Sequence, residues 1–247
     1  MNINDLKTFL LDLFFPKFCI HCKREGNYLC EDCQSLLSIC EYQYCLCQQS
    51  PIRIPPSFQK GKCARCQNKN LNGLYFALSY KDDILVKKVI HFLKYPPHLK
   101  ELAETLADIL MNYFLISNFN ITYFKEEGIF VPIPLEIRKL KIRGYNQAEE
   151  IAKSLARKLG VPLAVDLLIK KRKTESQVRL NKEEREKNLK GAFAINSESP
   201  FFYLGKKKTI FLIDDVYTTG ATMEECAKVL KEAGFKKVWG IAVAREG

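Results

Sequence analysis

Beyond residue 70, the pattern of apolar and polar positions alternates between strand and helix periodicities. Short apolar runs predict strands at residues 74–80, 129–133, 209–213 and 238–244. Apolar residues at helical spacing predict helices at residues 84–93, 99–116 and 220–233, and a further helix that starts at Tyr145. Asp82 and Asp83 cap the first helix, and the Pro96-Pro97 pair ends it. Strands that alternate with helices of this length favour a parallel α/β sheet.

The first 70 residues differ in composition, because they hold nine of the ten cysteines. The N-terminal segment lacks the basic cluster and cleavage site of a signal peptide, so we expect a protein that is not secreted. Closely spaced cysteine pairs in such a protein are typical of metal sites rather than disulfides. Two pairs complete a tetrahedral site of four thiolates, which favours structural zinc. The pairs predict one zinc site at Cys19, Cys22, Cys30 and Cys33, and a second at Cys45, Cys47, Cys63 and Cys66.

The second site leaves alternatives open. One of its pairs is shortened to Cys45-x-Cys47, and Cys40 is a possible replacement for one member. An iron–sulfur or redox role also uses four thiolates at this spacing. His21 lies inside the first pair and is interpreted as a loop residue. Because 70 residues build little core, metal must supply part of their folding energy. We therefore divide the chain into a zinc-ribbon module at 1–70 and an α/β domain at 71–247.

Composition and charge narrow the function. Of the 247 residues, 47% are hydrophobic, which excludes wholesale disorder, and no apolar run approaches the 18–20 residues or so of a membrane span. The formal net charge is +11, and residues 136–190 contain 16 basic and 8 acidic residues. This concentration favours polyanions such as nucleic acid or phosphorylated metabolites, or an anionic membrane face. A solvated, lysine-rich surface is the alternative.

Residues 210–222 carry the most specific chemistry. An apolar strand ends in Asp214 and Asp215, and the chain then turns through Thr and Gly residues into a helix. Ligands bind at the carboxyl edge of such sheets, where a helix N-terminus and hydroxyl groups can wrap a phosphate. The two carboxylates would accept hydrogen bonds from sugar hydroxyls or hold Mg²⁺ through water. The alternative is that Thr219 and Thr222 only cap the helix.

The sequence FLIDDVYTTGAT resembles the phosphoribosyl-pyrophosphate (PRPP) motif of type I phosphoribosyltransferases. The wider pattern resembles the ComF (ComFC) family of competence proteins, from about residue 16 to residue 245. Its elements are the cysteine pairs, VPIPL, RGYNQA from Arg143, Gln177 with Arg185 and Asn188, and the PRPP motif. The resemblance implies a type I phosphoribosyltransferase-like parallel sheet, flanked by helices and preceded by a four-cysteine zinc ribbon. It also implies a PRPP-binding set of Asp214, Asp215, Val216, Tyr217, Thr218, Thr219, Gly220, Ala221 and Thr222.

The same resemblance implies a cytoplasmic protein of bacterial natural transformation that handles incoming single-stranded DNA and binds PRPP with Mg²⁺. It further implies partners in DNA uptake, including a helicase and other competence proteins, and peripheral association with inner-membrane machinery. Two alternatives remain. One is an active phosphoribosyltransferase that acts on a base or nucleotide. The other is a non-catalytic scaffold whose zinc ribbon and 9–15 helix recruit partners or a membrane surface.

The VPIPL segment and the basic residues after it extend the predicted site. Proline cannot donate to a sheet ladder, so the strand must end near Pro132. In the transferase fold the following loop holds pyrophosphate, which makes Ile133, Pro134 and Leu135 candidates. Gly144 is expected to permit an unusual backbone angle, and Asn146 is as well explained by a helix cap as by a functional role. Contacts to DNA or phosphate are predicted for Arg138, Lys139, Arg143, Arg172, Lys173 and Arg179.

Other features of the sequence limit this interpretation. The stretch at 170–181 corresponds to a mobile loop that closes over the reaction centre in transferases, or else it is a surface hairpin without a role. The histidines His21, His91 and His98 lie outside these motifs, so no general base is predicted and the catalytic residues are left unassigned. Tyr42, Tyr44 and Phe58 are candidates for base stacking, although burial in a core is the commoner fate of such residues.

Overall fold

The computed structural model describes residues 16–55, 60–172 and 188–246. Several sequence-based predictions lie outside these residues: the helix at 9–15 and the roles of Phe58, Lys173, Gln177, Arg179 and Arg185. Within the described residues, no helix has the length and apolar character needed to cross a membrane.

The described strands and helices follow one another along the chain as the apolar pattern predicts, with additions. The strands are β1 (Gln43–Tyr44), β2 (Arg53–Ile54), β3 (Leu74–Ser79), β4 (Gly128–Pro132), β5 (Leu168–Lys170), β6 (Phe193–Ile195), β7 (Thr209–Tyr217) and β8 (Lys237–Arg245). The helices are α1 (Glu31–Gln34), α2 (Ile84–Lys94), α3 (Leu102–Ile116), α4 (Ile121–Glu127), α5 (Ile137–Arg143), α6 (Gln147–Leu159), α7 (Phe201–Leu204) and α8 (Ala221–Glu232). Short 3-10 turns occupy Ala64–Cys66 and Gly205–Lys207.

The central sheet has the strand order β3-β8-β7-β4, and all of its neighbouring pairs are parallel. This confirms the predicted parallel α/β architecture. Consecutive residues of β3 face opposite sides of the sheet, because successive side chains of a strand point to opposite faces. Tyr75 packs in one core with α2, α3 and α6, whereas Leu74 and Phe76 pack in a second core with α8. The sheet is therefore buried on both faces, as continuous apolar strands require.

β7 is longer than the sequence predicts, because it continues past Ile213 through the acidic pair to Tyr217. The neighbouring strand β8 explains the extension. It also runs to its end beside β7, so that Tyr217 lies opposite Arg245. The strand-ending rule for proline holds at the other side of β7, where β4 stops at Pro132. The sequence pattern also missed α4, α5 and β6, which pairs antiparallel with β5, and α3 begins at Leu102 rather than residue 99.

Helix boundaries near the cleft are fixed by side-chain caps. The Asp83 carboxylate accepts hydrogen bonds from the backbone N–H groups of Leu85 and Val86, at 2.7 and 3.1 Å, and so starts α2. Asn146 caps α6 by accepting from Ala148 N, and its amide also donates to the carbonyl of Ile133 at 3.0 Å. Gly144 ends α5 with φ +82°, which confirms the expected backbone angle. Asn146 therefore combines a cap with a tie to the loop after β4.

The cysteine-rich N-terminal part packs directly against the sheet. Cys40 N donates to the carbonyl of Ala77 on β3 at 2.7 Å, and β1 contacts the same strand. Arg245, at the end of β8, donates to the backbone carbonyls of Cys45 and Cys47. The division of the chain at residue 70 stays a prediction, but the two parts share these buried contacts.

Candidate functional site

A cleft of about 700 Å³ opens at the carboxyl ends of the parallel strands. Four parts of the chain contribute to it: the end of β7 with the turn into α8, the loop after β4 with α5, helix α2, and the β5–β6 pair. This is the edge at which ligands bind in open α/β sheets. The cleft therefore brings the PRPP-like motif, the VPIPL loop and a third element, α2, to one place.

The two carboxylates of the motif differ in their surroundings. Asp215 is buried, and its Oδ2 lies 2.7 Å from Nζ of Lys94 at the end of α2. Asp214 is half-buried, and its Oδ1 accepts a hydrogen bond from Asp215 N at 2.9 Å. Lys94 thus supplies a positive charge for one carboxylate of the pair. No pattern in the sequence indicates this contact, because Lys94 lies 121 positions before Asp215.

Burial and the neighbouring charges shift the pKa values of Asp214 and Lys94. Burial, followed by the neighbouring Asp215 carboxylate, raises the pKa of Asp214 well above its usual value. Burial works against the charged form of Lys94, but the nearby carboxylates of Asp215 and Asp214 outweigh it and raise the pKa of Lys94. Lys94 therefore stays charged at neutral pH. The floor of the cleft combines a hydrogen-bond-accepting carboxyl pair with one fixed cation.

The turn after β7 faces the cleft with most of the predicted residues. Thr218, Gly220, Ala221 and Thr222 line it, and Gly220 precedes α8 with φ +77°. The first backbone N–H groups of a helix lack intrahelical partners and favour anions. Thr219 differs from the others, because it lines a separate cavity of about 450 Å³ and its Oγ1 accepts from Ala221 N at 3.4 Å. The N-cap residue of α8 is Gly220, so the role of Thr219 in holding a phosphate and the capping alternative both stay predictions.

The loop after β4 forms a second wall. Ile133, Pro134 and Leu135 all line the cleft, and the Asn146 amide holds the Ile133 carbonyl in place. On the following helix α5, Lys139 and Arg143 line the cleft, and Arg143 also donates to the side chain of Gln147. Arg138, on the same helix, is exposed and does not line it. The structure thus separates the predicted basic residues of α5 into two groups.

The basic stretch after β5 divides in a similar way. Lys170 lines the cleft together with Phe193, and burial and the nearby Lys139 lower the pKa of Lys170. Arg172 is exposed, and its guanidinium donates to the carbonyls of Asn188 and Lys190 at 2.8 and 2.9 Å. Arg172 therefore holds the backbone of the returning chain and does not line the cleft. The predicted roles of Lys173 and Arg179 lie outside the described residues.

Helix α2 contributes cleft residues that the motifs did not indicate. Its exposed side lines the cleft, with Lys87, Lys88, His91 and the adjoining Tyr95. The expectation that all three histidines lie away from the site is wrong for His91. The expectation arose because α2 follows an edge strand that lies far from the PRPP motif in the sequence. The signal available was the helical spacing of 84, 87, 88, 91 and 95 beside buried positions 85, 86, 89, 90 and 93.

The first group of four cysteines has the geometry of a metal site. The Sγ atoms of Cys19, Cys22, Cys30 and Cys33 all lie within 4.8 Å of one another, and Cys22 and Cys30 are 3.5 Å apart. A tetrahedral zinc ion with Zn–S distances of about 2.3 Å separates its sulfurs by about 3.8 Å. His21 is exposed and outside the group. The four thiols therefore fit structural zinc, with no open coordination position.

The second group also converges, although one of its pairs is shortened. Cys45, Cys47, Cys63 and Cys66 have Sγ atoms within 4.8 Å of one another, and Cys40 is not a member. Backbone N–H groups support the sulfurs, since Ile52 N donates to Cys45 Sγ and Cys63 N to Cys66 Sγ, both at 3.2 Å. This second group fits a zinc ion as the first does.

The aromatic candidates for stacking in the cysteine-rich part are already in contact with other side chains. The guanidinium of Arg53 lies 2.9 Å from the centroid of the Tyr42 ring. Tyr44 packs against Phe76, with 6.1 Å between the ring centroids. Both rings are therefore partners of neighbouring side chains.

Comparison with known proteins agrees with this arrangement. Residues 146–246 match a family model described as a phosphoribosyl transferase domain. Competence protein F of Haemophilus influenzae is 29% identical over 94% of this chain and 99% of its own. Competence protein ComFC of Streptococcus pneumoniae is 26% identical over 90% of each chain. A DNA utilization protein, YhgH of Salmonella typhimurium, is 28% identical over 76% of this chain and 79% of its own. The chain, with its cysteine groups and its phosphoribosyltransferase-type sheet, is thus similar along most of its length to proteins named for competence and DNA utilization.

Proposed function

We propose that this protein handles incoming single-stranded DNA in the cytoplasm during natural transformation, and that its cleft binds PRPP. The relatives named as competence and DNA utilization proteins support the first part. The observation that carries the second part is the convergence, in one cleft, of the acidic pair, the turn into α8 and the loop after β4.

Each part of PRPP finds suitable groups there. The carboxyl groups of Asp214 and Asp215 would accept hydrogen bonds from the ribose hydroxyls, with the second carboxylate oriented by Lys94. The turn through Gly220 into α8 would hold the 5′-phosphate. The Ile133–Leu135 loop, with Lys139 and Arg143 beside it, would hold the pyrophosphate. Mg²⁺ bound near the acidic pair would neutralise part of the ligand's charge.

The charge of the cleft also suits a polyanion. Among the residues that line it, six side chains are lysine or arginine and two are carboxylates. Basic residues outside the cleft, such as Arg138 on α5, extend the positive surface for the phosphates of a DNA strand. We expect the DNA strand to arrive from the uptake machinery at the inner membrane, handed over by a helicase and other competence proteins. This protein would associate peripherally with that machinery.

An active phosphoribosyltransferase is the second candidate, and His91 is the observation that favours it. In such a reaction, a nucleophilic atom of the acceptor bonds to C1 of the phosphoribosyl group, the C1–oxygen bond to pyrophosphate breaks, and the acceptor loses a proton. His91 lines the same cleft and has a nitrogen that can accept such a proton. Pyrophosphate release in the presence of an acceptor would distinguish catalysis from binding alone.

Calorimetry with Mg²⁺-PRPP tests the assignment of the cleft, and fluorescence anisotropy of a labelled single strand tests the DNA function. The double variant Asp214→Asn with Asp215→Asn should lose measurable PRPP binding while it remains folded. The double variant Glu126→Gln with Glu127→Gln is the matched control, because it removes an adjacent acidic pair at the opposite edge of the sheet. Undiminished PRPP affinity in the first variant would overturn the site. Absence of salt-sensitive strand binding in the wild type would overturn the DNA function.

A further inference from the structure

We infer that the exposed side of α2 is a nucleotide-binding subsite, which places a phosphate-bearing nucleotide beside the PRPP site in the same cleft. This inference rests on the proposed function for the other two walls. It concerns α2, which carries no part of the PRPP motif.

The position of α2 sets it apart from the walls assigned to PRPP. It follows β3, which is one edge strand of the sheet, whereas the Ile133–Leu135 loop follows β4 at the other edge. The acidic pair lies on β7 between them, and Lys94 reaches it from the end of α2. A second ligand on α2 would therefore approach the ribose from the side opposite to the pyrophosphate loop.

The residues that α2 exposes match the two chemical parts of a nucleotide. Lys87 and Lys88 offer ammonium groups for a phosphate, and Nζ of Lys87 is steered by a hydrogen bond of 2.6 Å to the carbonyl of Lys81. His91 and Tyr95 form a tilted aromatic pair, with 4.9 Å between their ring centroids, on the same wall. Aromatic faces interleaved with cations are the usual surface for single-stranded nucleotides.

The apolar exposure of this helix indicates a ligand with a planar, apolar face. Ile84 is 81% exposed and Tyr95 is 46% exposed, yet both line the cleft. Helix α2 is held firmly on its other side, since Leu85, Val86, Val89, Ile90 and Leu93 are buried in the core. The hydroxyl of Tyr145 also donates to the Leu93 carbonyl at 2.6 Å. The surface is thus presented by a fixed element.

Nucleotide chemistry can reach this surface from two sources, a free mononucleotide or a unit of a DNA strand. We would measure the binding of deoxynucleoside 5′-monophosphates and of a labelled single-stranded oligonucleotide, each with Mg²⁺-PRPP present. The variants are the double variant Lys87→Gln with Lys88→Gln and two single variants, Tyr95→Ala and Tyr95→Phe. PRPP affinity is measured for every variant by calorimetry.

The lysine pair should weaken binding of the nucleotide or strand by about tenfold at low salt, and should reduce the salt slope by about one to two. Tyr95→Ala should weaken it at least about fivefold, whereas Tyr95→Phe keeps the ring and should retain binding. The matched control is Lys236→Gln with Lys237→Gln, an exposed adjacent pair at the amino-terminal end of β8 and so at the far edge of the sheet. It should bind like the wild type.

Competition by mononucleotides would identify the free nucleotide as the source, and binding of the oligonucleotide alone would identify the strand. Either result supports the subsite if the lysine double variant and Tyr95→Ala weaken binding more than the control and Tyr95→Phe do. Wild-type nucleotide affinity in the lysine double variant and in Tyr95→Ala, with PRPP binding intact, would overturn the subsite alone. If the wild-type protein does not bind PRPP, the result would instead contradict the proposed function.

Discussion

The guanidinium of Arg245 donates a hydrogen bond of 2.9 Å to the backbone carbonyl of Cys45, a residue 200 positions earlier in the chain. Arg245 is 2% exposed and also donates to the carbonyl of Cys47. Because Arg245 lies opposite Tyr217 at the end of β7, it joins the second cysteine group to the strand that carries the acidic pair. Gln48 adds to this connection by donating to the carbonyl of Thr218 at 3.1 Å.

Arg245→Gln should destabilise the fold, because a shorter side chain leaves the buried carbonyl of Cys45 and the partly buried carbonyl of Cys47 without their donor. Each unsatisfied group costs about 1–3 kcal/mol, so the free energy of unfolding should fall by at least about 2 kcal/mol. Urea denaturation measures this change. Arg65→Gln is the control, since Arg65 belongs to the same module but is exposed and donates to the carbonyl of Ser50. Equal stability losses in the two variants would contradict the role given to Arg245.

The membership of the second metal site can be tested by single substitutions. Cys47→Ser should lower the zinc content from two ions per chain to one, because it removes a thiolate from the group with Cys45, Cys63 and Cys66. Cys40→Ser should leave it at two, since Cys40 lies outside both groups and burial raises the pKa of its thiol to about 11. Metal analysis of the purified proteins measures both. Loss of an ion in Cys40→Ser would restore Cys40 as a ligand.

The sequence predicted those features that local pattern determines. The apolar runs gave the four strands of the sheet, the cysteine spacing gave both thiol groups, and the PRPP-like motif gave one side of the cleft. Features that depend on tertiary contact were not accessible. The pairing of Lys94 with Asp215 and the position of His91 follow from how α2 crosses the sheet edge. The extension of β7 through its carboxylates follows from β8 beside it.

Two arginines of α5 should differ in their effect on PRPP. Arg143 lines the cleft, whereas Arg138 is exposed outside it. Arg143→Gln should weaken PRPP binding about 10- to 100-fold, since hydrogen bonds to charged groups contribute about 1.5–3 kcal/mol. Arg138→Gln removes the same charge from the same helix and should keep the wild-type affinity. Calorimetry measures both, and a reversed order would move the pyrophosphate site away from Arg143.

The carboxylate of Asp214 should cost stability at neutral pH. The pKa of Asp214 in the folded protein is raised above the unfolded value near 3.8, by burial and by Asp215. Folding therefore disfavours the charged carboxylate, and this penalty grows as the pH rises from about 3.8 through the folded pKa. Asp214→Asn should consequently raise the urea midpoint at pH 7 while it removes PRPP binding. The gain in stability should vanish below pH 3.8, where the carboxyl group is protonated in both states. An equal gain at both pH values would point to a cause other than ionisation.

Gly220 should tolerate no side chain, because a Cβ atom there would overlap Tyr217. Comparison with Gly191 separates this overlap from backbone strain. Both Gly220 and Gly191 have positive φ, +77° and +70°, so an alanine at either position carries a backbone strain of about 1–2 kcal/mol. At Gly191 a Cβ atom would meet nothing within 4 Å, whereas at Gly220 it would lie 2.2 Å from the Tyr217 hydroxyl. Tyr217 is buried at the end of β7 and has little room to move. The turn into α8 must therefore shift in Gly220→Ala, and with it the groups proposed to hold the 5′-phosphate.

We expect Gly220→Ala to lose at least about tenfold in PRPP affinity, while Gly191→Ala loses stability alone. Calorimetry and urea denaturation of the two variants separate these effects, and equal PRPP affinities would show that the turn is not the phosphate site.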